Sequence, residues 1–295
     1  MNPTPEVRRP AGARLTALTA LALLAFAGNS LFCRAALASP GFDDGTFTGL
    51  RLLSGAFALA LLVRPRSRLS HGAGSWAAGA ALFVYAAAFS WAYLRLSAGT
   101  GALLLFGAVQ ATMNLAAWKG GERPGPRALF GLALALAGLG VLVAPGLAAP
   151  PFEAALAMLG AGVAWGIYSL LGRGGRDPLG ETAANFLRAA SLAVVLFLAF
   201  ALVRRPPPLE GQLLPLAYAV LSGALTSGGG YAVWYTALRG LSAARAALVQ
   251  LAVPPLAALG GTLALGEAPT LRLTGAFLLV LGGIALGILG RRPEM

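Results

Sequence analysis

Apolar residues in this chain fall in long, nearly unbroken runs instead of alternating with polar ones. Ten runs stand out, at 15–33, 45–63, 75–94, 98–118, 128–146, 153–172, 181–203, 213–236, 241–264 and 271–290. A bilayer core about 30 Å thick takes about 20 apolar residues per helix. Backbone polar groups find no water there and must pair within their own segment. The pattern therefore predicts an all-α polytopic membrane protein with ten transmembrane helices. The connections are short and rich in Pro and Gly, as in GGERPGPR, APGLAAPP and GEAPT, which stop one helix and start the next.

The runs repeat. Tyr235 to Glu267 reads YTALRGLSAARAALVQLAVPPLAALGGTLALGE, and Trp91 to Glu122 reads WAYLRLSAGTGALLLFGAVQATMNLAAWKGGE. Leu96-Ser97 precedes Leu241-Ser242 by 145 residues, as Glu122 precedes Glu267, while Leu94-Arg95 precedes Leu238-Arg239 by 144. Further matches are Arg51 with Arg188 at an offset of 137, and Gly131 with Gly275 and Gly138 with Gly282 at 144. Self-similarity at half the chain length implies two copies of one unit, with boundaries at 1–150 and 151–295. Five helices per copy is an odd number, so the second copy enters the membrane from the opposite side. Inverted repeats of this kind build many secondary transporters, with the substrate site near the midplane between the halves.

The first run, preceded by Arg8, Arg9 and Arg14 and containing Ala25-Phe26-Ala27, has the outline of a secretory signal. Residues 25–34 nevertheless resemble 163–172 at an offset of 138, so the run is expected to stay as the first helix of the bundle.

Composition narrows the class. Hydrophobic residues make up 58% of the 295 and charged residues 11%, with a mean hydropathy of +0.76. A soluble globule carries about a quarter charged residues. The net charge of +12 sits in short clusters between the runs, which is a topology signal and not a nucleic-acid surface. With the N-terminus inside, alternate connections carry 15 basic residues on the cytoplasmic side and 5 outside, so both termini are expected in the cytoplasm of a bacterial inner membrane. The single cysteine, Cys33, excludes an internal disulfide. There is no GxxxxGK[ST], no HExxH and no paired cysteine, and the one histidine, His71, lies in a connection. No catalytic, metal or cofactor site is expected; the expected partners are a small-molecule substrate and the lipid bilayer.

An Arg early in the second helix of each copy (GLRLLSG, NFLRAAS), Leu-Arg-x-x-Ser before the ninth, Pro in the ninth and Glu after the fourth and ninth appear in this order. In this the chain resembles the EamA-type drug/metabolite transporter superfamily over nearly its whole length, and within it the YddG-type aromatic amino-acid exporters. The first copy departs from the pattern, because Val109 stands where Pro254 stands in the second. The resemblance implies efflux of small amphipathic metabolites through a cavity lined mainly by helices one, three, four, six, eight and nine.

Polar and aromatic side chains at membrane depth are the candidates for that cavity, since an unpaired amide in hydrocarbon costs several kcal/mol and normally faces protein or water. Helix four offers Gln110 and Asn114, helix one Asn29 and Ser30, helix three Tyr85 and Phe89, helix six Trp165 and Tyr168, and helix nine Gln250. Taken singly, each polar group could equally join helices by a hydrogen bond. In helix eight Gly228, Gly229 and Gly230 predict a weak point at mid-membrane, beside Ser227 and Tyr231, although glycines also permit close helix packing. Arg51 and Arg188, seven or eight residues into their runs, read as structural or gating groups, and Pro254 as a kink. Glu122 and Glu267, each ahead of a Pro-containing helix start, read as caps of helices five and ten. No carboxylate lies at mid-membrane, so transport without a buried proton relay is expected. The function expected is export of small neutral amphipathic molecules, amino acids foremost, by alternating access. The alternatives are export of another metabolite or drug class and a non-transporting membrane scaffold.

Overall fold

The computed structural model describes residues 12–63, 74–121, 125–146, 149–172, 177–203, 211–241 and 249–289, and all regular structure among them is helical. In chain order the helices are α1 (Gly12–Leu37), α2 (Asp44–Leu62), α3 (Trp76–Tyr93), α4 (Ala98–Lys119), α5 (Pro126–Val143), α6 (Phe152–Leu171), α7 (Pro178–Val203) and α8 (Leu213–Leu238). These eight are long and apolar enough to cross a membrane. The shorter apolar helices α9 (Val253–Leu265) and α10 (Leu271–Leu289) follow; the described apolar stretch of α10 is Leu271–Gly287.

Local chemistry fixes the starts. Asp43 caps α2, its carboxylate accepting the Thr46 N–H at 2.8 Å and the Thr46 hydroxyl at 2.6 Å. Ser75 caps α3 and Ser97 caps α4 through their hydroxyl oxygens. Pro126 occupies the first turn of α5, where its missing N–H costs nothing.

Two helices depart from the sequence expectation. The ninth run was expected to be one helix over 241–264; in the described part, a turn at Leu251 and Ala252 separates Val249 and Gln250 from α9. Pro254 and Pro255 explain the break, since neither can donate a backbone hydrogen bond and each ring crowds the carbonyl four residues earlier. Pro254 thus begins a helix instead of kinking one. α8 stays helical throughout, but Ser222–Gly229 is wound as a π-helix, a rare wide turn found mostly at functional sites. Within it Gly223 lets α2 approach closely: a Cβ added there would overlap Ser54 Oγ and the Arg51 carbonyl oxygen of α2.

The helices pack in matched pairs. α1 lies on α8 as α6 lies on α3, α1 on α9 as α6 on α4, and α2 on α8 as α7 on α3. α2 with α7, α4 with α9 and α5 with α10 make the remaining main contacts. The α5–α10 contact is backbone to backbone, since a Cβ at Gly131 would overlap the Gly283 carbonyl oxygen and one at Gly283 the Gly131 carbonyl oxygen. Gly275 and Gly282, the sequence counterparts of Gly131 and Gly138, face open space instead. Large apolar side chains such as Phe57, Leu213 and Leu271 are exposed on the outside, as a lipid-facing surface requires, and the polar groups gather inside.

Candidate functional site

At the centre of the bundle, polar side chains from four helices form one network. The Ser222 hydroxyl of α8 donates to Asn29 Oδ1 of α1 at 2.7 Å, and Asn29 Nδ2 donates to the Tyr85 hydroxyl oxygen of α3 at 3.4 Å. Arg51 of α2 donates from Nη2 to the same Tyr85 oxygen at 3.0 Å and from Nε to Ser227 Oγ of α8 at 3.3 Å. Arg51 is 1% exposed, and its guanidinium carbon lies 4.9 Å from the Phe89 ring centre and 5.1 Å from that of Tyr85. Its third nitrogen, Nη1, is buried and has no hydrogen-bond partner among the described residues.

Beside this network stands an aromatic cluster. Trp165 of α6 is its hub, with ring centres 4.8 Å from Tyr85, 5.3 Å from Tyr231 and 5.4 Å from Tyr168. Phe26 of α1 packs edge-on against Tyr231 at 5.9 Å. Such pairs add about 0.5–1.5 kcal/mol each beyond their buried area, enough to hold the rings as a preformed wall.

Network and rings enclose a cavity of about 30 Å³, room for about two waters. Asn29, Ser30, Tyr85, Phe89, Trp165, Ser227, Tyr231 and Gln250 all line it, as do Phe26, Leu105, Phe106 and Thr226. Those residues come from α1, α3, α4, α6, α8 and the residues ahead of α9. Three sequence candidates lie outside it. On α4 the wall is formed by Leu105 and Phe106, with buried Gln110 one turn beyond Phe106 and Asn114 one turn further. Tyr168 is buried and touches Trp165 without lining the cavity.

The sequence reading missed Leu105 and Phe106 because apolar residues in an apolar helix carry no mark of which face they occupy. Leu105 does have one signal, since it is the repeat counterpart of Gln250, and both positions face the cavity. Thr226 sits one residue from Ser227, and Phe26 shares the helix-one face of Asn29 and Ser30 that the sequence already marked.

The residues read as structural or gating groups separate. Arg51 is in the core, whereas Arg188 is half-buried over Trp76 at the start of α3, 5.9 Å from the ring. Glycines at 228 and 230 permit close approach: a Cβ on Gly228 would stand 3.2 Å from Ala58 Cβ of α2 and one on Gly230 2.9 Å from Ala25 Cβ of α1, while Gly229 has only its own turn nearby. Glu267 does not cap the tenth helix as expected. Its Oε2 accepts the Ala98 N–H of α4 at 2.8 Å and its Oε1 pairs with Arg34 Nε at 3.1 Å. The N-terminus of α10 is capped by Thr270, whose hydroxyl accepts the Leu273 N–H. The reason is geometric: Gly266, with φ +68°, ends α9 in the left-handed region and turns the chain back, so the Glu267 N–H reaches the Gly261 carbonyl and the carboxylate faces α4. Arg34 extends this clasp by donating to the Tyr93 carbonyl of α3 at 3.1 Å. Glu122 lies outside the described residues.

Relatives agree with this architecture. A model described as the EamA-like transporter family matches residues 153–289. Uncharacterized protein PA1977 of Pseudomonas aeruginosa is 60% identical over 278 residues, covering 92% of this chain and 94% of that protein. A solved crystal structure superposes with a TM-score of 0.63 at 22% identity, over 95% of this chain and 98% of that one, and so shares the fold. Residues 153–289 thus carry the match to the EamA-like transporter family, and over nearly its whole length the chain belongs to one family with PA1977.

Proposed function

We propose that the central cavity is the substrate site of an exporter of small amphipathic metabolites, amino acids with aromatic or apolar side chains foremost, resembling the YddG-type exporters. The single observation that carries this reading is the composition of the cavity: a ring wall from Phe26, Tyr85, Phe89, Trp165 and Tyr231 facing hydroxyls and amides of Asn29, Ser30, Thr226, Ser227 and Gln250. An apolar wall with a few polar groups is what holds an amphipathic molecule in one orientation.

The halves 1–150 and 151–295 are proposed as inverted repeats, ten spans in all, with both termini in the cytoplasm of a bacterial inner membrane. The matched packing of α1 with α8 against α6 with α3, and of α1 with α9 against α6 with α4, supports a pseudo-two-fold relation. Alternating access then rocks the halves about the cavity. At about 30 Å³ the cavity is far below the roughly 300–1,000 Å³ of ordinary small-molecule pockets, which favours entry of the substrate in a more open state. Among the described residues no Asp or Glu lines the cavity, which supports transport without a buried proton-carrying carboxylate.

Purified protein in proteoliposomes, offered a panel of labelled amino acids and other amphipathic metabolites, tests the reading. Saturable uptake of an aromatic or apolar member that persists without an imposed pH gradient is expected. Absence of saturable flux for every member would overturn it.

A further inference from the structure

The central network carries an uncompensated positive charge. Arg51 is wholly buried and two of its nitrogens donate to neutral hydroxyls; among the described residues Nη1 has no partner and neither salt bridge involves Arg51. A buried cation without a counter-ion is strongly unfavourable in low dielectric. The two rings under the guanidinium offset part of this, since cation–π contacts are attractive, but they leave the site with a net positive charge.

That charge is relayed to the cavity. Arg51 lies one layer behind the wall, and its two hydroxyl partners, Tyr85 and Ser227, are both in the wall. A hydroxyl has one proton and two acceptor lone pairs. Tyr85 Oη already accepts from Arg51 and from Asn29, so what it retains to offer is its O–H. Ser227 Oγ accepts from Arg51 Nε and likewise keeps its proton for donation. Both are donors polarised by a cation, beside a cavity with no acidic lining residue among those described.

We propose that the ligand of this site is an organic anion, a monocarboxylate on an aromatic or apolar body, whose carboxylate is received by the Tyr85 and Ser227 hydroxyls under the charge of Arg51. The inference rests on the reading of the cavity as the transport site and alters the class expected from sequence. An amino acid brings its ammonium within the same few ångströms as its carboxylate, where it meets Arg51 and no acidic partner. The deaminated analogue avoids that repulsion, and the decarboxylated analogue keeps only the repelled group. Arg51 is thus a positioning residue that acts through two hydroxyls.

A matched set tests this: 3-phenylpropionate, phenylalanine and phenethylamine share one aromatic body and differ in which charged groups they carry. Calorimetric titration of the detergent-solubilised full chain at neutral pH reads binding independently of flux. The expected order is 3-phenylpropionate, then phenylalanine, then phenethylamine. Arg51→Met is expected to weaken 3-phenylpropionate about tenfold or more and to abolish the order, with no fall in melting temperature, because replacing an unpaired buried charge by an apolar side chain removes an unfavourable term. Arg51→Lys is expected to restore part of the preference, and Tyr85→Phe to weaken the carboxylate while sparing phenethylamine. An order unchanged in Arg51→Met and Tyr85→Phe, or phenethylamine as the best ligand, would overturn the proposal. If none of the three binds while the same preparation carries other amphipathic solutes saturably, the anion proposal fails and the transporter reading stands. If nothing is carried either, that reading fails as well.

Discussion

Glu267→Gln tests the clasp that joins α9 to α1, α3 and α4. The carboxylate accepts two bonds from donors on different helices, the Ala98 N–H at 2.8 Å and Arg34 Nε at 3.1 Å. A carboxamide of the same shape can turn its one oxygen to either donor, but its NH₂ then faces the other. One charge-assisted bond is lost and one donor is left unpaired, a cost of about 1.5–3 kcal/mol. Exposure decides how much of this survives solvent screening. The side chains of Arg34 and Glu267 are 26% and 16% exposed, against 51% and 72% for the Arg95–Glu153 pair. Glu153→Gln is therefore the internal control, expected to cost no more than about 1 kcal/mol, as exposed pairs do. Thermal unfolding in detergent followed by intrinsic fluorescence reads both, and Arg34→Met combined with Glu267→Gln in a double-mutant cycle isolates their coupling, expected at about 1–2 kcal/mol. Equal, small effects at Glu267 and Glu153, or additive effects of Arg34→Met and Glu267→Gln, would refute the reasoning.

Two glycine substitutions separate packing from site geometry. Gly223→Ala pushes a methyl into Ser54 Oγ and the Arg51 carbonyl, so it should destabilise by about 1–3 kcal/mol and also weaken ligand binding, because the displaced backbone carries Arg51; melting curves and titrations on one preparation read both. Gly131→Ala forces α5 away from the Gly283 carbonyl of α10, remote from the cavity lining, so melting should fall by a similar amount of about 1–3 kcal/mol while affinity is retained.

Most helix positions were legible in the sequence because a bilayer dictates them: length and apolarity set α1 to α8, whereas the caps at Asp43, Ser75 and Ser97 emerged only with the structure. The ninth helix was read as continuous because hydropathy does not register a missing N–H; the Pro254-Pro255 pair held the correct signal. The π-turn over Ser222–Gly229 of α8 was not legible from that segment, and neither was the close crossing of Gly223 with Arg51 and Ser54, because those partners belong to a distant segment. The positions that line the cavity on α1, α3, α6 and α8 followed from polar and aromatic residues sharing a helical face. Gln110 and Asn114 do not line this cavity, because polarity alone does not give rotation about a helix axis, and here Leu105 and Phe106 hold the inward position. Glu267 misled for another reason. Its local context is a helix start, but its partners, Arg34 and Ala98, lie 233 and 169 residues away. Arg51 was visible as an intramembrane charge, yet only the three-dimensional arrangement reveals that Nη1 has no partner among the described residues and that the hydroxyls bonded to Arg51 line the cavity.

The central claim is that the cavity opens alternately to the two sides of the membrane. Ser30 lines it and is itself buried, and Ser30→Cys in a Cys33→Ser background places one small thiol there. Labelling of that thiol by a membrane-impermeant reagent, applied in turn from each side of sealed vesicles, is the most direct measurement. The account predicts reaction from both sides, slowed in each case by a transported substrate; reaction from one side only, or labelling that no transported substrate slows, would contradict it.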